Sequence, residues 1–165
     1  MRRGMLPLLL AVLAVPGCAT VAPPPETQLQ LRAFQSRVYE TQDTKMVLKA
    51  VLNVLQDEGF IVKGADSDLG FLTAIREMEV EDRSFSASFS RWLSRKDHWD
   101  KTTTIEATAN VSPILTKTRV RVNFQTKTVD NKGRISRIEV LHDEAFYQEF
   151  FAKVDKGVFI EKEKL

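Results

Sequence analysis

The chain has 165 residues, 43% hydrophobic and 28% charged, with one cysteine and a formal net charge of +2. That length suits one folded core. Charge so near balance excludes a chain that captures nucleic acid through bulk basicity, and a single cysteine excludes an internal disulfide.

The first stretch reads as a leader. Arg2 and Arg3 precede an apolar run from Met5 to Val15, interrupted by Pro7, and small residues then lead to Cys18. A basic start, a short greasy segment and a small-residue processing site predict a secretory signal peptide over residues 1–17. The apolar run is about 11 residues, too short for a spanning helix of about 20. Val15-Pro16-Gly17-Cys18 resembles the lipobox of bacterial lipoproteins, with Pro16 a less usual second residue. The resemblance implies a diacylglycerol on the Cys18 sulfur, cleavage before that residue, and acylation of the new amino group. A thiolate is a strong nucleophile, which is why such chemistry uses cysteine. One acyl chain holds a protein only reversibly, whereas several hold it durably. Within that class, Asp after the cysteine goes with the inner membrane. Ala19 stands there instead, which implies the outer membrane, facing the periplasm. The competing reading is a secretory leader cut elsewhere, after Ala22. Loss of Arg2 and Arg3 lowers the basic count from 24 to 22, equal to the 22 acidic residues.

Residues 18–32 read as the lipidated cysteine and a tether. Pro23-Pro24-Pro25 favours an extended left-handed helix that spaces a domain from a surface. Residues 33–165 then make a single domain. Phe34, Val38 and Tyr39 alternate weakly and predict a short strand over 34–39. Asp43 is an N-cap for a helix over 44–58, whose face is Val47, Leu48, Val51, Val54 and Leu55. Gly59 ends it, and Phe60 folds back on the last turn. Residues 60–65 predict a buried strand, Asp66-Ser67-Asp68 a turn, and residues 70–78 the returning strand. Gly64 and Gly70 mark a bulge or a close helix approach. Asp66 and Asp68 read as a solvated turn, because Leu69-Gly70-Phe71 lacks the further oxygens of a calcium loop.

Residues 79–101 form an insertion. Phe85, Phe89, Trp92 and Leu93 fit one face of a short amphipathic helix, although Phe85, Ala87 and Phe89 also fit strand alternation. Arg91, Trp92, Arg95 and Trp99 together suggest a partner or membrane-interface surface. The competing reading has Trp92 covering the core and Trp99 capping the next strand.

Clean alternation follows. Over residues 102–111, Ile105, Ala107, Ala109 and Val111 face one way, and Thr104, Glu106, Thr108 and Asn110 the other. Ser112-Pro113 opens a turn. Over residues 117–129, Val120, Val122 and Phe124 point inward, and Arg119, Arg121, Asn123, Gln125 and Lys127 outward. Period two with one polar face predicts an antiparallel sheet covered on one side only. A turn over 130–133 and an edge strand over 135–140 come next. Asp143 caps a last helix whose face is Phe146, Tyr147, Phe150, Phe151, Val154 and Val158. The assembled expectation is an α+β domain: one antiparallel sheet of about four to five strands, two helices on one face, a helix-grip-like layout.

Gln35-Ser36-Arg37-Val38-Tyr39, Val47-Leu48-Lys49-Ala50, Leu55-Gln56-Asp57-Glu58-Gly59-Phe60 and the ending Phe146-Tyr147-Gln148-Glu149-Phe150-Phe151 resemble a family of uncharacterised proteobacterial outer-membrane lipoproteins. The element order is also similar to the helix-grip domains of BamC, a lipoprotein of the outer-membrane barrel assembly machinery, and its bearing on function is by analogy. The insertion with Trp92 and Trp99 has no counterpart in either.

The reactive inventory points away from an enzyme, a metal and a cofactor. His98 and His142 are far apart and no zinc-ligand cluster exists. No Gly-x-Ser-x-Gly motif or glycine-rich phosphate loop occurs. Glu77, Glu79, Glu81 and Asp82 fall at an expected solvated hairpin end. The expected function is a lipid-anchored periplasmic binding or accessory module, acting by protein–protein contact in an envelope assembly or secretion complex. Its candidate surface is Arg91, Trp92, Arg95, Trp99, Arg119 and Arg121. The alternative is a carrier of lipid or another hydrophobic ligand, suggested by the phenylalanine-rich last helix.

Overall fold

The computed structural model describes residues 28–78, 102–129 and 133–163. Cys18, Arg91, Trp92, Arg95, Trp99 and the amphipathic helix expected within 79–101 lie outside the described residues. In chain order the elements are α1 (Gln28–Phe34), β1 (Ser36–Tyr39), α2 (Thr44–Asp57), β2 (Ile61–Asp66), β3 (Phe71–Met78), β4 (Thr102–Ile114), β5 (Lys117–Val129), β6 (Ile135–Val140) and α3 (Glu144–Glu163). The class is α+β, but the sheet is larger than the residue pattern predicts. Among the described residues it has six strands rather than four or five, in the order β1-β5-β4-β3-β2 with β6 also paired to β5, and each of these pairings is antiparallel. Among the described residues three helices accompany it rather than two. The third, α1, starts inside the stretch that polar composition assigns to the tether, because Leu31 buries itself against the domain.

The helix ends form as their residues dictate. The Asp43 side chain accepts from the Met46 N–H at 2.8 Å, and the Asp143 side chain from the Phe146 N–H at 3.0 Å. At the far end of α2, Gly59 takes φ +79°, and the Phe60 N–H returns to the Leu55 carbonyl at 2.9 Å. The Arg76 guanidinium, projecting from β3, donates to the Glu58 carbonyl at that same terminus. A cation suits a helix C-terminus, where the unsatisfied carbonyls concentrate partial negative charge.

Both long helices pack on one face of the sheet. Val47, Val51 and Leu55 of α2 and Tyr147, Phe151 and Val154 of α3 are essentially solvent-free. They meet Leu72 and Ala74 of β3, Ile105, Ala107 and Ala109 of β4, and Val120, Val122 and Phe124 of β5. Phe124 is the hub: its ring lies 4.9 Å from Phe146, 5.2 Å from Phe150, 5.7 Å from Tyr147 and 6.0 Å from Phe60, in tilted or edge-on geometries. A small void beside these rings, bordered by Glu58, Glu149 and Lys153, holds about 10 Å³, room for about one water.

Three local expectations change. The strand over 60–65 is not buried: among the described residues β2 is an edge paired only to β3, and Ile61 is 63% exposed. The register shift between Val62 and Gly64 is the bulge that Gly64 marks. Ser112-Pro113 is not a turn; β4 runs through both to Ile114, and the hairpin tip is Leu115-Thr116 with Leu115 at φ +54°. Proline is tolerated there because β3 begins opposite Asn110, so the side of β4 that would receive a Pro113 N–H has no partner strand. Finally, Gly70 marks the close approach of a strand, not of a helix. A Cβ at Gly70 would sit 2.0 Å from the Val111 carbonyl oxygen, whose residue's N–H meets the Gly70 carbonyl at 2.7 Å.

Candidate functional site: an arginine-lined groove

β5 carries two short strands end to end along one edge. β1 pairs with residues 118–121 and β6 with residues 125–129. Between them the β5 backbone would be left unpaired, and buried backbone groups do not stay so. The gap is closed by other parts of the chain. The Val122 N–H donates to the Gln35 carbonyl at 2.9 Å, the Phe124 N–H to the Tyr147 hydroxyl at 3.1 Å, and the Leu141 N–H to the Phe124 carbonyl at 2.9 Å. The Gln35 side-chain amide also points at the Tyr147 hydroxyl, at 3.4 Å, and Phe34 stacks on its ring at 5.3 Å. Burial pushes the Tyr147 phenol up, although its two hydrogen bonds and the Arg121 charge pull the other way. This plug seats α1 at the rim of the sheet and brings Arg32 toward the second face.

That second face is polar. β5 presents Arg119, Arg121, Asn123, Gln125 and Lys127; β4 presents Thr104, Glu106, Thr108 and Asn110 in register beside them. Glu106 is engaged by the Gln125 amide at 2.6 Å. Where α1 meets this face a groove of about 780 Å³ opens, lined by Arg32, Ser36, Phe71, Thr108, Asn110, Arg119, Arg121 and Asn123 among others. No Asp or Glu is among the described residues that line it. Arg119 and Arg121 stand two residues apart on one face of β5, so their side chains run parallel. The Arg121 Nε is shielded from solvent and has no hydrogen-bond partner among the described residues. Phe71 is 43% exposed at the groove's edge.

The structure therefore joins two of the six sequence-nominated residues, Arg119 and Arg121, in one concavity. Arg91, Trp92, Arg95 and Trp99 are outside the described residues, as is Cys18. Sequence reading missed Arg32, hidden in an assumed tether, and Phe71, taken as an ordinary strand residue. A signal for Arg32 existed in the helical spacing of Leu31 and Phe34 around it. The opposite face holds its own charges in pairs. Lys153 bridges Glu58 at 2.5 Å and Glu149 at 3.2 Å, Lys49 meets Glu161 at 2.9 Å, and Arg37 pairs with Asp155 while lying 5.3 Å over the Phe151 ring. Burial, and next the Asp155 carboxylate, push the Tyr39 phenol well above its usual range. His142 is exposed and Glu77 is exposed, and no cluster of metal-ligating side chains occurs among the described residues.

No family model matches the chain. Nor does any curated protein. Among solved structures, the chain is similar to a crystal structure of a DUF4468 family protein from Bacteroides ovatus, at 8% identity and a TM-score of 0.38, over 74% of this chain and 84% of that one.

Proposed function

We propose that this chain is a lipid-anchored periplasmic binding module of the bacterial outer membrane, held by acyl chains on Cys18 and working through protein–protein contact in an envelope assembly or secretion complex. The observation that carries the reading is the second face of the sheet. It is polar, bears an open groove, and displays arginines that the described part of the fold leaves unpaired. The leader ending Val15-Pro16-Gly17-Cys18 supports the anchor, and the layout of long helices on one face of an antiparallel sheet fits the helix-grip likeness. The reading assigns no catalysis, cofactor or metal. Against the carrier alternative stands the close packing of Phe124 with Phe146 and Phe150, which fills that part of the space between sheet and helices.

Labelling with palmitate tests the anchor: label on the product, lost in Cys18→Ser, is expected, and an unlabelled product in the soluble fraction would refute it. Affinity purification from detergent-solubilised membranes tests the role. A reproducible protein partner is expected; its absence would count against a binding module.

A further inference from the structure

We infer that the groove between α1 and the open sheet face receives a carboxylate-rich segment of a partner protein, held by Arg32, Arg119 and Arg121. The inference deepens the binding-module reading and rests on it. Three guanidinium groups line one concavity without a carboxylate among its lining residues. On the opposite face Lys153, Lys49 and Arg37 each face a carboxylate. Parallel like charges on Arg119 and Arg121 repel each other, and a shielded Arg121 Nε without a partner is costly to leave so. A carboxylate relieves both, because its two oxygens match the guanidinium fork.

The rest of the lining decides for polypeptide over a phospholipid surface. Asn110 and Asn123 offer paired donor and acceptor groups suited to peptide backbone, and half-exposed Phe71 offers a platform for an apolar side chain. A planar headgroup layer does not follow a concave wall. All the groove's cations are arginines, which favours planar oxyanions over simple charge neutralisation.

The test uses the full-length chain in detergent micelles and a fluorescent peptide alternating glutamate with phenylalanine, compared with its glutamine counterpart. The glutamate peptide is expected to bind and the glutamine peptide not. The double variant Arg119→Gln/Arg121→Gln is expected to weaken binding roughly tenfold or more, and the double lysine variant to recover only part of the loss. Binding should weaken with added salt. Circular dichroism confirms folding, and Arg32→Gln, on the exposed side of α1, supplies a second variant should the double one fail to fold. Equal binding of both peptides, or glutamate binding indifferent to these arginines, overturns the inference. So does a double variant that loses phosphatidylglycerol vesicles but keeps the peptide. A membrane partner that stays bound to the double variant also overturns it, while leaving the binding-module reading intact. Arginine-dependent peptide binding with no partner recovered from membranes does the reverse.

Discussion

The two faces of this sheet share strands and differ in almost everything else. Along β5, Val120, Val122 and Phe124 are at most 1% exposed, while Arg119, Arg121 and Asn123 alternate with them on the other side. On the inner face each residue answers to its neighbours' shape, since interiors are close-packed and changes of volume are felt. On the outer face little of the composition is required for folding. Its arginines are therefore free to serve binding, and the fold bears their mutual repulsion. The helices show the same division: their inward sides are apolar, and on their outward sides Lys49 pairs with Glu161 and Lys153 with Glu58 at the end of α2.

Substitutions graded across the sheet sharpen that contrast. Phe124→Ala removes the hub of the aromatic cluster and is expected to cost about 4 kcal/mol in a urea titration. Gly70→Ala places a Cβ on the Val111 carbonyl in a left-handed backbone, and a loss of about 3 kcal/mol is expected. Tyr147→Phe strands the Phe124 N–H at the gap in the β5 edge, and its unfolding midpoint should fall by the equivalent of about 2 kcal/mol. Asp43→Ala removes one helix cap, worth about 1 kcal/mol. Arg119→Gln, on the outer face, should shift stability by less than about 0.5 kcal/mol. If it destabilises as much as Tyr147→Phe, the two faces are not the separate economies described above.

An alkaline pH profile probes the phenols of the inner face, together with Lys153, where burial opposes the charge but Glu58 and Glu149 hold the ammonium above its ordinary range. The folded chain raises both the Tyr39 and Tyr147 phenols above the ordinary value of about 10. It therefore holds these protons more tightly than the unfolded chain does. The stabilisation is complete below about pH 10 and is lost as pH rises beyond it. Midpoints measured at pH 9 and 11 should drop in the native chain and drop less in Tyr39→Phe.

Much of this was legible from residue order. Asp43 and Asp143 announce their helices, and six apolar residues from Phe146 to Val158 mark the face of α3, all buried as expected. The alternation in β4 and β5 assigns inside and outside from Ile105 to Val111 and from Arg119 to Phe124, while it leaves the buried Thr118 without a face. The failures are instructive. Pro113 reads as a breaker because proline lacks an N–H, yet its place beyond the start of β3 makes that lack harmless. Phe60-Ile61-Val62 reads as a buried strand because the run is apolar, yet Phe60 belongs to the helix stop and Ile61 to an edge. Leu29 and the polar residues around α1 gave little sign of order, since a helix of seven residues is not stable without tertiary support.

Local chemistry by itself determined the caps, the two alternating strands, the aromatic stripe of α3 and the class of the fold, since each depends on periodicity and short-range hydrogen bonding. It also supplied the leader motif on which the proposed anchor rests. Only the tertiary structure decided that β1 and β6 share one edge of β5, that Tyr147 and Gln35 fill the gap between them, and that α1 docks there. Gln35 and Tyr147 stand 112 positions apart, and it is that long-range packing which carries Arg32 to Arg119 and Arg121 and makes a groove of three arginines.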